Sequence, residues 1–251
     1  ELRRDLRQRV AQHEARAQAF AGALLDLHDD VEAEERVPTQ VEEVVVLADA
    51  RDAQGLSPDL GEEDLVHVLQ SAKNRPSPID GYFGAVYYIG PIFTAFRGTP
   101  EATDYYRVLR AEIDERVRLG RGPITPDGEM GEEKYRLVVE GPPNWTSFRD
   151  FWKMFYEEGA VVVASTYSKV GGVYDFGFRH DPEHPLESLA DYCLGCYSNH
   201  SLPARIDMIC NYIDEYSADG LLINSIKSCN SFSAGQLLIL REVERRTGKP
   251  A

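Results

Sequence analysis

The chain has 251 residues, of which 42 are acidic and 27 basic, giving a formal net charge of −15. That balance argues against a general nucleic-acid surface, which needs clustered Lys and Arg to displace counterions. Its apolar runs fall well short of the ~20 residues that span a bilayer, no signal-peptide pattern opens it, and four cysteines are too sparse for a disulfide scaffold. The expectation is a cytoplasmic protein with reduced thiols.

Residues 1–61 read as a mostly helical lead-in, with Leu2, Leu6, Val10, Phe20, Leu24 and Leu27 at helical spacing. Val44-Val45-Val46 is either a strand or a buried helical turn. Glu62 to Lys73 reads as a helix with Leu65, Val68 and Leu69 on one face, stopped by Pro76 and Pro78. Ile79 to Phe96 is rich in aromatic and small residues and packs against the core or a ligand. Thr99 as N-cap and Pro100 at the first helical position open a long helix to about Leu119. Gly120 to Gly131, with four glycines and two prolines, reads as a linker. Residues 62–131 thus form a helical segment and its linker.

From residue 132 to 251 the pattern is Rossmann-like α/β. Strands are expected at Tyr135–Val139, Ala160–Ala164 and Gly220–Asn224. Helices are expected at Ser147–Glu157, Leu186–Cys193, Pro203–Tyr216 and Ser233–Thr247. Strands separated by helices imply a parallel sheet. The chain begins at Glu1 and ends just past a helix at Ala251, where the pattern next places a strand. It therefore reads as an internal piece of a longer polypeptide, with an exposed sheet edge.

Loops at the carboxyl ends of parallel strands are where ligands sit. Cys229 lies in such a loop, two residues after Lys227 and before an expected helix N-terminus, features that favour a thiolate. Its alternative is a buried structural cysteine. Asn144 and Trp145 follow the first α/β strand in a stiff Gly-Pro-Pro loop. They form either a wall for a planar or anionic ligand or a turn with Trp in the core. Asn224 ends the third strand. Cys193 and Cys196 form a CxxC with His200 nearby, but no second pair completes a zinc pattern, and a packed loop is the simpler account. Cys210 belongs to an amphipathic helix core. His180 and His184 flank a surface turn.

Longer segments carry more. SAKNRPSPID (Ser71 to Asp80), YYIGPIFTAFRGT (Tyr87 to Thr99), VVEGPPNWTSFRDFWK (Val138 to Lys153), LADYCLGCYSN (Leu189 to Asn199) and DGLLINSIKSCNSFSAGQ (Asp219 to Gln236) closely resemble B-type subunits of ATP-dependent (class I) benzoyl-CoA reductases. These are relatives of the 2-hydroxyacyl-CoA dehydratases. The resemblance runs from about Glu62 to Ala251.

It implies an oxygen-sensitive iron–sulfur enzyme subunit that reduces the aromatic ring of benzoyl-CoA, or a related aromatic acyl-CoA, to a cyclic diene. It also implies a 4Fe–4S cluster, a related cluster-binding subunit, and an ATP-hydrolysing activator fed indirectly by ferredoxin. Cys229 matches the third ligand cysteine of the family pattern. The first two have no counterpart, since residues 1–192 contain no cysteine, and are expected upstream. Asn144, Trp145, Asn224 and Lys227 are candidate substrate-binding residues. The alternatives are a radical 2-hydroxyacyl-CoA dehydratase subunit and a cluster-free acyl-CoA-binding scaffold subunit.

Overall fold

The computed structural model describes residues 59–81, 99–125, 127–167, 178–225 and 227–251. The helix expected over Leu2–Leu27, the Val44–Val46 run and most of the aromatic-rich stretch after Ile79 lie outside the described residues.

Helix α1 spans Asp59–Gln70 and tightens into a 3-10 turn at Ser71–Lys73, three residues earlier at its start than the periodicity indicates. Leu65, Val68 and Leu69 are buried as expected. Helix α2 runs Pro100–Arg118, and the Thr99 side chain accepts from the Ala102 N–H, satisfying one of the orphan donors of the first turn. Leu65, Val66 and Leu69 of α1 pack with Tyr106 of α2 and with Tyr192.

The Gly/Pro-rich stretch is more than a linker. It folds into an antiparallel pair, β1 (Ile124–Thr125) and β2 (Gly128–Glu129), and buries Met130. The composition signals turns, and a two-residue hairpin is made largely of turn residues.

Three parallel strands form the main sheet: β3 (Tyr135–Glu140) in the centre, β4 (Ala160–Ser165) on one side and β5 (Gly220–Ile223) on the other. Helices α3 (Phe148–Glu157), α4 (Pro185–Gly195) and α5 (Leu202–Glu215) connect them. One face of the sheet, through Val138, Val161, Val163 and Leu221, packs on Ile209 and Ile213 of α5 and on Ile239 and Val243 of a later helix. The other face, through Val139 and Val162, packs on Trp152 of α3 with Phe148, Phe151 and Phe155 around it. Burial on both faces explains why β4 is apolar throughout its length except for its last residue.

The helix expected to begin at Ser233 is divided. A single turn, α6 (Asn230–Ser233), is followed by α7 (Gln236–Thr247). Gly235 separates them with φ +82, a conformation that glycine adopts at little cost. A Cβ there would come within 2.8 Å of the Leu202 side chain, so the break is also a close contact with α5. Past α7 the tail turns back, and the Pro250 carbonyl accepts from Leu221 N–H at 2.9 Å. The β5 edge is therefore engaged by the tail at this position, where a bare edge is the expectation from sequence.

Two buried charged side chains bracket the central strand. At its start Arg136, 1% exposed, donates to the carbonyls of Tyr216 (2.9 Å), Asn74 (3.1 Å) and Ala72 (2.5 Å) and to Glu133 (2.7 Å). Glu133 also accepts from Ser77 N–H at 2.5 Å. The SAKNRPSPID segment is thus docked on the amino end of β3, opposite the end where ligands are expected. At the other end stands Glu140, fully buried.

Candidate functional site

The carboxyl end of the sheet is built from three loops. After β3 the chain turns at Gly141, φ +97, where a Cβ would lie 2.4 Å from the Asn224 carbonyl oxygen. Only glycine permits this approach between the β3 and β5 loops. The two loops are then bonded together. Asn224 N–H donates to the Glu140 carbonyl at 2.8 Å, and the Asn224 side-chain amide donates to the Pro142 carbonyl. Gly141 N–H donates to Thr166 Oγ1 at 3.2 Å, which ties in the loop after β4. Asn224 is therefore a loop fastener, with its amide already engaged. Asn144 is exposed and accepts from the Thr146 hydroxyl at 2.8 Å.

Beneath the loops lies a polar network that reading the sequence does not single out. Glu140 Oε1 accepts from the Tyr197 hydroxyl at 3.0 Å and Oε2 from the Gln236 amide at 2.6 Å. The Arg205 guanidinium lies over the Tyr197 ring, 4.6 Å from its centroid. Burial raises the Glu140 carboxyl above its ordinary value, and the two hydrogen bonds and the Arg205 charge oppose that rise. Tyr197 is raised as well, first by burial and then by the neighbouring carboxylate. The available signal was weak: a Glu ending an apolar strand, with a Gln placed at a helix start.

An aromatic row crosses the strand ends. Trp145 stacks on Phe148 (5.2 Å, 16°) and meets Tyr167 edge-on at 6.1 Å. Tyr167 neighbours Phe232 at 6.0 Å, and Phe232 stacks with Tyr197 at 6.0 Å and 27°. Trp145 is 50% exposed, so it is not a core tryptophan; the tryptophan buried against the sheet is Trp152. Offset and edge-on contacts at these separations are favourable for aromatic rings.

Cys229 is half-buried, and its carbonyl accepts from Phe232 N–H (3.2 Å) and Ser233 N–H (2.9 Å). The aromatic row therefore reaches its loop through Phe232. The helix that follows Cys229 has only four residues, so it presents little of the aligned dipole that the sequence suggests. Lys227 is exposed in the same loop.

The other thiols are elsewhere. Cys193 is exposed, Cys210 is buried in α5, and Cys196 Sγ lies 3.5 Å from the Tyr192 carbonyl. His200 contacts the Gly195 carbonyl at 2.8 Å, and Asn199 donates to the Cys193 carbonyl at 2.6 Å. The CxxC–His segment thus closes the end of α4. His184 pairs with Asp181 at 3.0 Å, which raises the imidazole above its ordinary value. Among the described residues no group of three or more His, Cys, Asp or Glu side chains converges where a metal ion could be held. One thiol at the strand ends does not make a cluster site by itself.

The family model for the D-component of 2-hydroxyglutaryl-CoA dehydratase matches residues 59–251. The B-type subunit of benzoyl-CoA reductase from Thauera aromatica is 74% identical over 190 residues, covering 76% of this chain and 44% of that protein. The (R)-phenyllactyl-CoA dehydratase alpha subunit of Clostridium sporogenes is 28% identical over 179 residues, 71% of this chain and 40% of its own length. The (R)-2-hydroxyisocaproyl-CoA dehydratase alpha subunit of Clostridioides difficile is 25% identical over 179 residues, 71% of this chain and 41% of its own length. The chain spans less than half the length of these relatives.

Proposed function

Because this chain belongs to the 2-hydroxyglutaryl-CoA dehydratase D-component family, we propose that it is part of an acyl-CoA enzyme subunit that reduces the ring of benzoyl-CoA, or a related aromatic acyl-CoA, to a cyclic diene by single-electron steps. The observation that carries this reading is its much higher identity to a benzoyl-CoA reductase subunit than to the dehydratase subunits. A cytoplasmic setting is part of the same proposal. Among the described residues no helix is long and apolar enough to cross a membrane.

The same proposal gives individual residues roles that their placement supports. Trp145 and the aromatic row behind it offer flat surface to the acyl ring. Asn144 and Lys227 are exposed in the strand-end loops and suit the polar thioester and the anionic CoA moiety. Asn224 joins two of the loops that would carry the substrate. The thioester carbonyl conjugated to the ring can spread the charge of an added electron, so a donor near that oxygen favours the reduced ring. Cys229 is offered as one ligand of a 4Fe–4S cluster, the other cysteines coming from outside these 251 residues. A related cluster-binding subunit and an ATP-hydrolysing activator, itself supplied by ferredoxin, complete the proposed assembly.

The family's name favours a second reading, dehydration of a 2-hydroxyacyl-CoA. One experiment separates the two. The full-length complex, supplied with activator, ATP and a strong reductant under anaerobic conditions, is offered benzoyl-CoA and a 2-hydroxyacyl-CoA in turn. Formation of a cyclic diene thioester supports the reductase. Turnover of the hydroxyacyl thioester alone would establish the dehydratase.

A further inference from the structure

The loop that carries Cys229 is fastened at both of its feet to a single residue. At the near foot, Asn224 N–H donates to the Glu140 backbone carbonyl at 2.8 Å. At the far foot, the Gln236 side-chain amide donates to Glu140 Oε2 at 2.6 Å. The remaining oxygen, Oε1, accepts from Tyr197, whose ring stacks on Phe232 inside the same loop. Glu140 is fully buried and Gln236 is 7% exposed. A buried carboxyl raises the free energy of a fold unless something is gained by keeping it there, and an apolar residue at this position would bury equally well.

We propose that Glu140 is a positioning residue: with Gln236 it clamps the Cys229 loop against the end of β3 and so fixes Cys229 relative to the Asn144–Trp145 wall, which grows from the same strand end. This rests on the reading of the chain as an aromatic acyl-CoA reductase subunit, in which the spacing between electron source and substrate ring governs turnover. The clamp works through bond geometry at both oxygens, and its chemistry predicts which substitutions preserve it. Glu140→Gln keeps it, since the Gln236 amide can rotate to present its oxygen to the new amide while Tyr197 still donates to the other. Exchanging the two residues, Glu140→Gln with Gln236→Glu, also keeps it. Gln236→Leu removes the far foot while retaining the helix and its packing. Gln236→Asn retains the chemistry and is one methylene too short.

The test uses the full-length subunit in its assembled enzyme, with two measurements. Amide hydrogen exchange over residues 227–235 is expected to speed about tenfold in Gln236→Leu and Gln236→Asn, the factor expected when one buried bond to a charged group is lost. It should stay near wild type in Glu140→Gln and in the exchange variant. Turnover of benzoyl-CoA should show kcat lowered about tenfold in the two loosened variants, with KM little changed because the wall's own backbone bonds are untouched. Exchange within twofold of wild type in both Gln236 variants would overturn the clamp. Loosening without loss of kcat would overturn its positioning role. If the wild-type enzyme does not reduce benzoyl-CoA, the functional reading fails, while the exchange data still decide whether Glu140 holds the loop.

Discussion

Arg136→Met tests the energetic account of the central strand most directly. The substitution removes the only guanidinium among the described residues that meets the Ala72, Asn74 and Tyr216 carbonyls, and leaves the Glu133 carboxylate, 3% exposed, with the Ser77 N–H and a distant Arg75 at 3.7 Å. Removing one partner of a buried ion pair costs about 3–5 kcal/mol. The loss of the guanidinium bonds to the three carbonyls adds to this, though such terms overlap with it. A total of about 5 kcal/mol is a large share of the ~5–15 kcal/mol that holds a typical domain together. With a urea slope of about 2–3 kcal/mol/M, the unfolding midpoint should fall by about 2 M. Trp152 fluorescence is a suitable probe, because its ring lies so close to Gly81 that a Cβ there would sit 2.4 Å away, and Gly81 directly follows the docked segment. Adding Glu133→Gln to Arg136→Met should restore about 2 kcal/mol, since no uncompensated charge then remains buried. A loss below about 1 kcal/mol in the single variant, or strict additivity of the two substitutions, would refute the reasoning.

Four further outcomes follow from the site. Gly141→Ala forces a Cβ to 2.4 Å from the Asn224 oxygen at φ +97, and should cost about 2–4 kcal/mol, a drop of roughly 5–10 °C in Tm by calorimetry; an unchanged Tm would contradict the close approach of the loops. For Glu140, burial raises the folded-state value above the ordinary 4.5, so its contribution is present below that pH and is lost as pH rises through the folded value. The stability of wild type relative to Glu140→Gln should therefore decline from acidic to neutral pH in urea titrations, and a rising difference would show the carboxylate to be net stabilised in place. Trp145→Ala should raise KM for benzoyl-CoA about tenfold, with little change in Tm, since the indole is half exposed; equal effects on a saturated ring thioester would argue against stacking. Cys229→Ala should strip most of the iron from the full-length protein, and wild-type iron content in that variant excludes it as a ligand.

Much of the sheet was legible because a doubly covered parallel strand must be apolar along its length. Val161 to Ala164 and Leu221 to Ile223 announce themselves in this way, and Thr99-Pro100 fixes the start of α2 through capping chemistry. The division between α6 and α7 was not legible. Ser233 to Thr247 satisfies helical periodicity, and only the contact of Gly235 with Leu202, far away in sequence, shows why the helix must break there. Composition likewise marks Gly120–Gly131 as turn-rich without revealing that the turns close a hairpin. The candidate site shows the same limit. Cys229 and Trp145 are conspicuous by residue type, whereas Glu140, Tyr197 and Gln236 are ordinary until the fold brings 57 and 96 residues of sequence separation down to hydrogen-bond distance.

The two buried charges of β3 serve different ends, and their surroundings show it. Arg136 is surrounded by backbone carbonyls and one carboxylate, partners that an always-charged guanidinium satisfies in a fixed geometry. Its removal should act on folding. Glu140 meets neutral side-chain donors, and burial works against its charge. Glu140 is thus a carboxyl whose charge burial disfavours, joined to both feet of one loop. Its bonds fall on the elements that bear Trp145 and Cys229, so its effect should appear in the geometry of the strand-end loops. If Arg136→Met proved to alter KM at unchanged stability, or Gln236→Leu to lower Tm without affecting the loop, this division of the strand into a structural end and a functional end would be wrong.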